Sequence, residues 1–511
     1  MARVTRLVFA AAGLLMAIAA PAAAQEDCNA PAADVTSFTS LPGLPFSAIP
    51  SADGCTVFVS LFQGRAGSIA VFKRASGKLT LLQNIAVPRT PGGMTLNRDG
   101  KWLVAADQQG VMVFDTARLI SGDGTPIVSA SDNSGRPAGS IYAAISPDDK
   151  LLFVSDENNA SLTVYDFAAL RGGSTSAIGR VSVGFAPVGL VFSGDGRTLY
   201  STSEVAKSGP KTCPPEGGAP RPTPQGELTV VDVTKAATDP AGAVLARIPA
   251  GCDPVRVALA SNGRLFVTIR GDNAVQVFDT SKLSGASAGA MIAKVAVGDS
   301  PVGVTAAGDR VFVANSNRFA PPGRKGEWLS VLDARTNEVD GAVPAGLFPR
   351  ELKVTPDGKT LLVTNFNSKS LELVDLARLT VDYFAQQRPV MTADLAGQAS
   401  ANAAIQARIK AKTPSPGTEA AVRHQIEGLL RGEPDYGAMT PDLADVSRPQ
   451  AEGILKNAAQ WGALKSLTLD SITPQGMDIY DAEFEHASIQ WGIAPLTSDG
   501  KISVLFFRPK T

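Results

Sequence analysis

The chain has 511 residues, of which 19% are charged, and its formal net charge at neutral pH is −1. This balance gives no electrostatic reason to expect binding to nucleic acid or to an anionic membrane surface, and neither partner is predicted. The length favours more than one domain.

The N-terminus has the order of a secretory signal peptide. Arg3 and Arg6 precede an apolar run at 7–20, and small residues follow at 22–24. A charged, then apolar, then small-residue order is typical of a segment removed on export. We therefore predict that residues 1–24 are a signal peptide and that the protein is periplasmic or secreted. No other apolar run approaches the roughly 18–20 residues that a spanning helix needs, so the protein is not predicted to span a membrane.

A repeated pattern occupies residues 33–380. Residues 146–166 represent it, with a Pro-Asp turn, a strand, a polar loop and a further strand; Pro147 presets φ for the turn. The turns of the seven copies begin at Asp53, Asp99, Asp148, Asp195, Asn262, Gly308 and Asp357. Five of the six intervals measure 46–49 residues, and the remaining one, of 67, contains an insertion. A period of roughly 40–50 residues with four short strands is typical of a β-propeller blade.

The strands of the repeat are apolar runs rather than alternating patterns, as expected for strands covered on both faces by neighbouring blades. The seventh copy has no clear fourth strand, whereas 35–40 is an unassigned strand near the N-terminus. We predict that this segment joins the last blade and closes the ring, which leaves no open sheet edge there. The predicted fold is an all-β seven-bladed β-propeller followed by a small α+β domain.

Four cysteines in an oxidising compartment indicate disulfides, with three pairings possible. Cys213 lies in the long loop between the second and third strands of the fourth copy, and Cys252 immediately precedes the fifth. In a propeller these two loops emerge on the same face of neighbouring blades. The repeat register therefore predicts a Cys213–Cys252 disulfide and a Cys28–Cys55 disulfide that fastens the N-terminal segment.

Residues 381–416 are rich in Gln and Ala and end in a Pro-containing stretch, which predicts a partly helical linker. Beyond it, helical spacing at 419–430 and 441–461 is followed by strand patterns at 464–469, 477–484, 488–493 and 502–507. Residues 417–511 are therefore predicted to form a small α+β module.

The repeats resemble the YVTN-type propeller repeats of exported bacterial proteins and the wider lactonase-like group that includes phosphogluconolactonase-type enzymes. The resemblance is carried by Pro-Val-Gly at 187–189, by Gly-Asp-Gly-Arg-Thr-Leu-Tyr at 194–200, and by Thr-Pro-Asp-Gly-Lys-Thr-Leu-Leu-Val-Thr-Asn at 355–365. It covers about residues 33–380. It implies the fold, but propellers of this kind serve many functions.

The C-terminal module is similar to the cystatin-like or nuclear-transport-factor-like modules appended to secreted bacterial hydrolases. Gly-Glu-Pro-Asp-Tyr at 432–436 and Leu-Phe-Phe-Arg-Pro at 505–509 carry this similarity.

Both histidines of the chain, His424 and His486, lie in this C-terminal module. Ser-His-Asp and Cys-His catalysis in the repeat region is therefore excluded, as are histidine-rich metal sites. Lactonase-like propellers use His, Arg and Glu at the channel mouth, so the resemblance leaves lactone hydrolysis without its histidine. No metal and no cofactor are predicted.

The candidate site residues follow from the repeat register. Each copy begins with a leading proline about eight residues before its turn, except that the third copy has Ser140 there; the prolines are Pro45, Pro91, Pro187, Pro254, Pro301 and Pro349. The position two residues later holds Ser47, Gly93, Tyr142, Gly189, Arg256, Gly303 and Glu351. One position earlier all copies are apolar or Gly except for Arg350. Charged residues where other copies have Gly suggest a function at the top mouth of the channel. The loops after the second strands open on the same face and add further candidates: Glu204, Arg270, Asp272, Asn315, Asn317, Arg318, Asn365 and Asn367.

Two interpretations of these charges stay open. Arg256 or Arg350 forms a structural ion pair with Glu351, or the arginines hold an anion, since arginine binds carboxylate and phosphate bidentately. The leading prediction is a protein that binds a small anionic ligand or an envelope protein through its top face, without catalysis. The alternative is a lactonase-like hydrolase with Glu351 as the catalytic residue. In a third possibility the C-terminal module holds the activity or targets the protein.

Two long loops add to this face. Residues 204–226 contain Cys213 and six prolines, and residues 315–328 contain Arg318 and a Pro-Pro-Gly-Arg-Lys stretch. Long loops on a rigid scaffold are frequent sites of function, although simple decoration is the alternative.

Overall fold

The structure is a computed structural model that describes Cys28 and residues 32–63, 66–75, 77–131, 137–214, 222–283, 289–318, 327–473 and 476–510. The predicted signal peptide at 1–24 lies outside these residues. No helix in the described ranges is long and apolar enough to cross a membrane.

Between residues 36 and 375, the described chain forms seven four-stranded antiparallel sheets. Their strands, in chain order, are β1 (Thr36–Ser40), β2 (Leu44–Pro50), β3 (Thr56–Gln63), β4 (Ala66–Ala75), β5 (Lys78–Val87), β6 (Met94–Leu96), β7 (Trp102–Ala106), β8 (Gly110–Asp115), β9 (Val128–Ser131), β10 (Ser140–Ile145), β11 (Leu151–Asp156), β12 (Ser161–Asp166), β13 (Gly179–Ser182), β14 (Phe185–Phe192), β15 (Thr198–Val205), β16 (Glu227–Asp232), β17 (Val244–Pro249), β18 (Pro254–Leu259), β19 (Arg264–Ile269), β20 (Ala274–Asp279), β21 (Met291–Ala296), β22 (Pro301–Ala307), β23 (Arg310–Asn315), β24 (Trp328–Asp333), β25 (Val339–Pro344), β26 (Pro349–Val354), β27 (Thr360–Asn365) and β28 (Ser370–Asp375).

Six of the sheets contain four consecutive strands, and the seventh has the order β1-β28-β27-β26. β1 thus pairs with β28 antiparallel, the pairing that the sequence predicts for the N-terminal strand. The first strands of successive sheets contact one another, and β26 contacts β2 in turn. This arrangement is a propeller-like all-β fold.

Apolar residues pack between neighbouring sheets. Val104 of the second sheet and Leu152 and Val154 of the third belong to one buried cluster, for example. Because each inner strand is covered on both faces, its sequence is a continuous apolar run. Buried clusters of this kind hold each sheet to the next.

A second set of contacts between sheets uses hydroxyl groups on the second strands. Thr268 Oγ1 accepts a hydrogen bond from the Arg256 backbone N–H at 3.0 Å and donates to the Val302 carbonyl of the next sheet at 2.8 Å. Thr202 Oγ1 makes the same two contacts with Gly189 N–H and the Val255 carbonyl. These bonds occur where the inner strands bulge, so the bulge donors are satisfied and neighbouring sheets are linked.

The first and last sheets are joined by a buried arginine. Arg74 is 1% exposed, and its Nε donates to the Gly54 carbonyl at 2.7 Å. Its Nη1 donates to Thr360 Oγ1 at 3.0 Å, and its Nη2 lies 3.7 Å from Asp357 Oδ2. A cation buried at this junction is satisfied only when both sheets are in place.

Three short helices follow third strands: α1 (Thr116–Ile120), α2 (Phe167–Arg171) and α3 (Val233–Ala236). Each begins after an aspartate whose side chain accepts a backbone N–H of the first turn; the aspartates are Asp115, Asp166 and Asp232. This is the N-capping preference of aspartate, and it explains why the third strands close on that residue.

The chain continues as four helices and a further sheet. Their bounds are α4 (Val381–Ala411), α5 (Thr418–Arg431), α6 (Pro441–Ser447), α7 (Ala451–Ala458), β29 (Leu464–Ile472), β30 (Asp478–Phe484), β31 (Ser488–Ile493) and β32 (Leu505–Pro509). The strands pair in chain order as an antiparallel sheet. One apolar cluster joins this sheet to the helices and includes Val422, Ile426, Trp461 and Trp491. The sequence pattern at 441–461 predicts one helix, whereas a 3₁₀ turn containing Pro449 divides it into α6 and α7.

Both predicted disulfides are present, Cys28–Cys55 and Cys213–Cys252. The second joins two residues 39 positions apart in sequence and ties the long loop after β15 to the start of the next sheet.

Candidate functional site

The centre of the ring is formed by the inner strand of each sheet, which is the strand that follows the start of each repeat: β2, β6, β10, β14, β18, β22 and β26. At the position two residues after the leading proline, three sheets have glycine, and the space is needed by neighbours. A Cβ on Gly93 would lie 2.3 Å from Tyr142 Cδ1, and one on Gly303 would lie 2.6 Å from the Arg350 carbonyl oxygen. The glycines therefore leave room for the larger residues that other sheets place at this level.

Three of those larger residues form a polar cluster: Tyr142, Arg256 and Glu351. The Tyr142 hydroxyl donates to Glu351 Oε2 at 2.6 Å, and Arg256 Nη2 lies 3.4 Å from the same oxygen. Arg256 Nη2 also hydrogen-bonds to Tyr142 Oη, and its guanidinium carbon lies 3.8 Å above the tyrosine ring. Burial lowers the pKa of Arg256 to about 10, and Glu351 opposes that shift. The structure thus brings these three predicted site residues together.

Arg350 lies closer than Glu351 to the loops that follow the second strands, and it has different neighbours. The equivalent residues of the other sheets include Phe46, Ile141 and Val188, which belong to one buried apolar cluster across the channel. The β26 bulge between Pro349 and Glu351 allows the consecutive residues Arg350 and Glu351 to lie in separate layers.

The Arg350 guanidinium is enclosed by aromatic rings. Its Cζ lies 3.9 Å from the ring centre of Phe46, 5.5 Å from that of Phe366 and 5.8 Å from that of Phe348. Its Nε is buried and has no hydrogen-bond partner, and no ion pair to Arg350 exists among the described residues. Burial lowers the pKa of this guanidinium to about 10, while Glu351 and Glu157 raise it.

Further charges surround Arg350 on the loop side, at the ends of second strands. Arg270 binds Glu204 through two hydrogen bonds, of 2.8 and 3.1 Å, and is 4.0 Å from Asp253. Glu157 follows β11 directly. Burial raises its pKa to about 7, with Glu204 adding to the shift and Arg350 opposing it.

The remaining predicted residues occupy other surroundings. Asn315 is fully buried and donates to the Trp328 carbonyl at 2.9 Å and to Ser330 Oγ at 3.1 Å. Asn365 is also fully buried and donates to Glu372 Oε2 at 3.0 Å. Arg318 is exposed, and its charge contributes to lowering the pKa of Glu157. The two asparagines therefore support the inside of their sheets, whereas Arg318 lies at the loop face.

Sequence reasoning missed Glu157 and the phenylalanines around Arg350. Glu157 stands directly after a second strand, as Arg270 does, so the repeat register could have identified it. Phe348 precedes a leading proline and Phe366 follows β27, and no local pattern connects them.

Outside the ring, His424 Nε2 lies 2.9 Å from Asp435 Oδ2 on an exposed surface. Within the described ranges, no three residues among His, Cys, Asp and Glu are grouped so that they could hold a metal ion.

No family model matches the sequence, and no curated protein matches it. Among solved structures, the chain is similar to the hydrazine synthase of Kuenenia stuttgartiensis, with a TM-score of 0.50 and 17% sequence identity. The similarity covers 66% of this chain and 97% of that one. At this identity it supports the propeller-like fold alone.

Proposed function

We propose that residues 33–380 form a seven-bladed β-propeller of the YVTN-like and lactonase-like kind, exported by a signal peptide at 1–24. Seven four-stranded sheets whose first strands contact one another in a closed order support the blade count. Two disulfides are compatible with export. Residues 417–511 are a separate α+β module, joined through 381–416.

We further propose that this protein binds a small anionic ligand at the loop face of the channel, without catalysis. One observation carries the proposal: Arg350 replaces an apolar residue of the channel layer, and its buried Nε has no hydrogen-bond partner among the described residues. A buried donor without an acceptor costs roughly 1–3 kcal/mol, so a ligand that supplies the acceptor recovers that cost.

The geometry around Arg350 suits an anion. Stacking on Phe46 uses the face of the guanidinium and leaves its N–H groups in the plane, where a carboxylate or phosphate binds bidentately. Arg270 and the exposed Arg318 add positive potential nearby, although Arg270 is already paired with Glu204. The carboxylates of Glu351 and Glu157 act on Arg350 in the opposite sense, so the anion contact depends on the hydrogen-bonding geometry of the guanidinium more than on net charge. The phenylalanines also restrict the side chain, which reduces the entropy lost on binding. An envelope protein could make the same contact by inserting one of its carboxylates at Arg350.

Lactone hydrolysis by Glu351 has less support. Its Oε2 accepts from Tyr142, which belongs to the apolar cluster of the channel, and contacts Arg256. A carboxylate oxygen that two side chains already engage is not available to contact a substrate.

The proposal is tested by thermal denaturation with and without citrate, phosphate and gluconate. We expect at least one anion to raise the melting temperature of the wild-type protein. Arg350→Ala should lose that increase while keeping or raising the basal melting temperature, since it removes an unpaired buried cation. Arg350→Lys keeps the charge but not the bidentate geometry, and should retain only part of the increase.

Arg335→Ala is the matched control because the Arg335 side chain is 68% exposed and belongs to the same region of the chain. It should leave the anion effect unchanged. The proposal fails if none of the three anions stabilises the wild type, or if Arg350→Ala responds as the wild type does.

A further inference from the structure

A cavity of about 220 Å³ lies within the ring. Its lining includes Tyr142, Arg256 and Glu351 together with the residues that follow them in the same inner strands, such as Val257 and Leu352. Because these strands run from the leading prolines toward the tight turns, the cavity lies on the turn side of the polar cluster. The apolar cluster of Phe46 and Ile141, which also includes Tyr142, lies toward the leading prolines.

The walls of this cavity are strand edges. β10, β14, β18, β22 and β26 each stand at the end of their sheet and each contribute residues to the lining. An edge strand presents backbone N–H and C=O groups that are not paired within its own sheet, so the walls carry both donors and acceptors. The N–H groups at the bulges are the exception, because hydroxyls of the second strands accept from them. The exposure of the lining increases along the strands, from buried Leu352 to exposed Lys353 and from buried Val304 to half-buried Thr305. The cavity is therefore reached from the face of the ring that carries the tight turns between the first and second strands of each repeat, here called the turn face.

The closed end of the cavity carries an acceptor beside a donor. Glu351 Oε2 is engaged by Tyr142 and Arg256, whereas no described residue donates a hydrogen bond to Oε1. The Glu351 side chain is 17% exposed, and this exposure leaves room for a ligand contact. Arg256 is 7% exposed, and its buried Nε has no hydrogen-bond partner. Glu351 Oε2 thus has its hydrogen-bond partners within the cluster, whereas Glu351 Oε1 and Arg256 Nε have none among the described residues.

We infer that this cavity binds a small neutral polyhydroxy compound, a polyol or a monosaccharide. The Arg256–Glu351 pair at the closed end has no net charge, and the exposed Lys353 lies at the open end. At the closed end an anion would therefore meet the carboxylate, and a cation would meet the guanidinium. Neighbouring hydroxyls match the cluster, because one donates to Glu351 Oε1 while the next accepts from Arg256. The backbone groups of the walls serve the other hydroxyls. The volume lies below the roughly 300–1,000 Å³ of sites for drug-sized ligands, which restricts the compound to a small one.

This site differs from the anion site at Arg350 in its arginine and in the face from which it is reached. Glu351 acts electrostatically on Arg350, so substitutions at Glu351 are expected to alter anion binding as well as polyol binding. Arg350→Ala is the substitution that separates the two sites, because it should abolish the anion effect and leave polyol binding in place.

The test uses glycerol, ribose, glucose and myo-inositol at millimolar concentration, with saturation-transfer NMR and thermal denaturation on the full chain. At least one of the four should bind the wild type. Glu351→Ala removes the free acceptor and should weaken that binding by about tenfold or more, since a lost hydrogen bond to a charged group is worth roughly 1.5–3 kcal/mol. Glu351→Gln retains an acceptor and should show an intermediate loss.

Tyr142→Phe tests the cluster if Glu351→Ala does not fold. It removes the hydroxyl that fixes Glu351, and it should weaken binding without filling the cavity. Glu338→Ala changes an exposed glutamate and serves as the control, with unchanged polyol binding expected. The inference is overturned if none of the four compounds binds, or if the bound compound is held equally well by the Glu351 and Tyr142 variants.

Discussion

Glu372 lies on β28 with no part of its side chain exposed, and burial raises its pKa to about 8. Asn365 Nδ2 donates to its Oε2 at 3.0 Å. Glu372 Oε1 and Asn365 Oδ1 are both buried, and neither has a hydrogen-bond partner in the part of the chain that the structure describes. A proton on the carboxyl supplies a donor to this pair of acceptors, so the neutral form is favoured in the folded protein.

The raised pKa makes stability depend on pH in a defined direction. The ordinary carboxyl pKa is 4.5, so between about pH 5 and 8 the folded protein holds a proton that the unfolded chain has lost. The free energy of unfolding therefore falls as the pH rises through this window. Each pKa unit corresponds to about 1.4 kcal/mol, which gives an upper limit of roughly 4–5 kcal/mol for the whole window.

Glu372→Gln should abolish this dependence. The amide keeps an acceptor for Asn365 Nδ2 and offers a donor to Asn365 Oδ1, without an ionisable group. Denaturant unfolding followed by circular dichroism at pH 5, 6, 7 and 8 should show the variant gaining on the wild type by up to about 1.4 kcal/mol per pH unit. Glu338→Gln, at an exposed position, should follow the wild type. Parallel pH profiles for the wild type and Glu372→Gln would refute the reasoning.

Three other outcomes are expected. Replacing both Cys213 and Cys252 by serine should lower the free energy of unfolding by roughly 3–4 kcal/mol, because the disulfide closes a loop of 39 residues. Denaturant titration measures this loss, and a value near zero would mean that the disulfide adds nothing to stability. Arg74→Met should cost about 3 kcal/mol, since it breaks three contacts, two of which join the first sheet to the last, and a change like that of Arg335→Met would contradict this. Limited proteolysis should cleave near 411–417, where α4 ends, and release a C-terminal fragment of about 95 residues; protection of these bonds would argue against separate domains.

The strands of the ring were predictable because the repeat has two independent signals, the turn residues and the apolar runs. The same register predicted that Tyr142, Arg256 and Glu351 would lie close together, since equivalent positions of the copies lie at the same level around the channel. It could not separate Arg350 from Glu351, because the bulge that places consecutive residues in different layers has no distinct sequence pattern.

Other features depend on tertiary packing. Glu372 stands in Ser-Leu-Glu-Leu-Val-Asp, an alternation that suggests an exposed glutamate, yet its side chain is covered within the last sheet. The helix α4 extends through a segment predicted as a partly helical linker. Its first turn is held where Phe384 packs against Gly341, at a place where a Cβ would lie 2.6 Å from the phenylalanine ring. Composition at 381–411 gives no sign of that contact.

A bound anion should supply the acceptor that the buried Arg350 Nε lacks among the described residues. The most direct measurement is the ¹⁵N–¹H signal of Arg350 Nε, assigned by its loss in Arg350→Lys, during titration with citrate, phosphate and gluconate. We predict that the anion which stabilises the protein moves this signal downfield, saturably and with the same midpoint as the thermal effect, while neutral glucose leaves it in place. An Nε signal that stays unchanged while the anion stabilises the protein would place the ligand elsewhere and contradict the proposal.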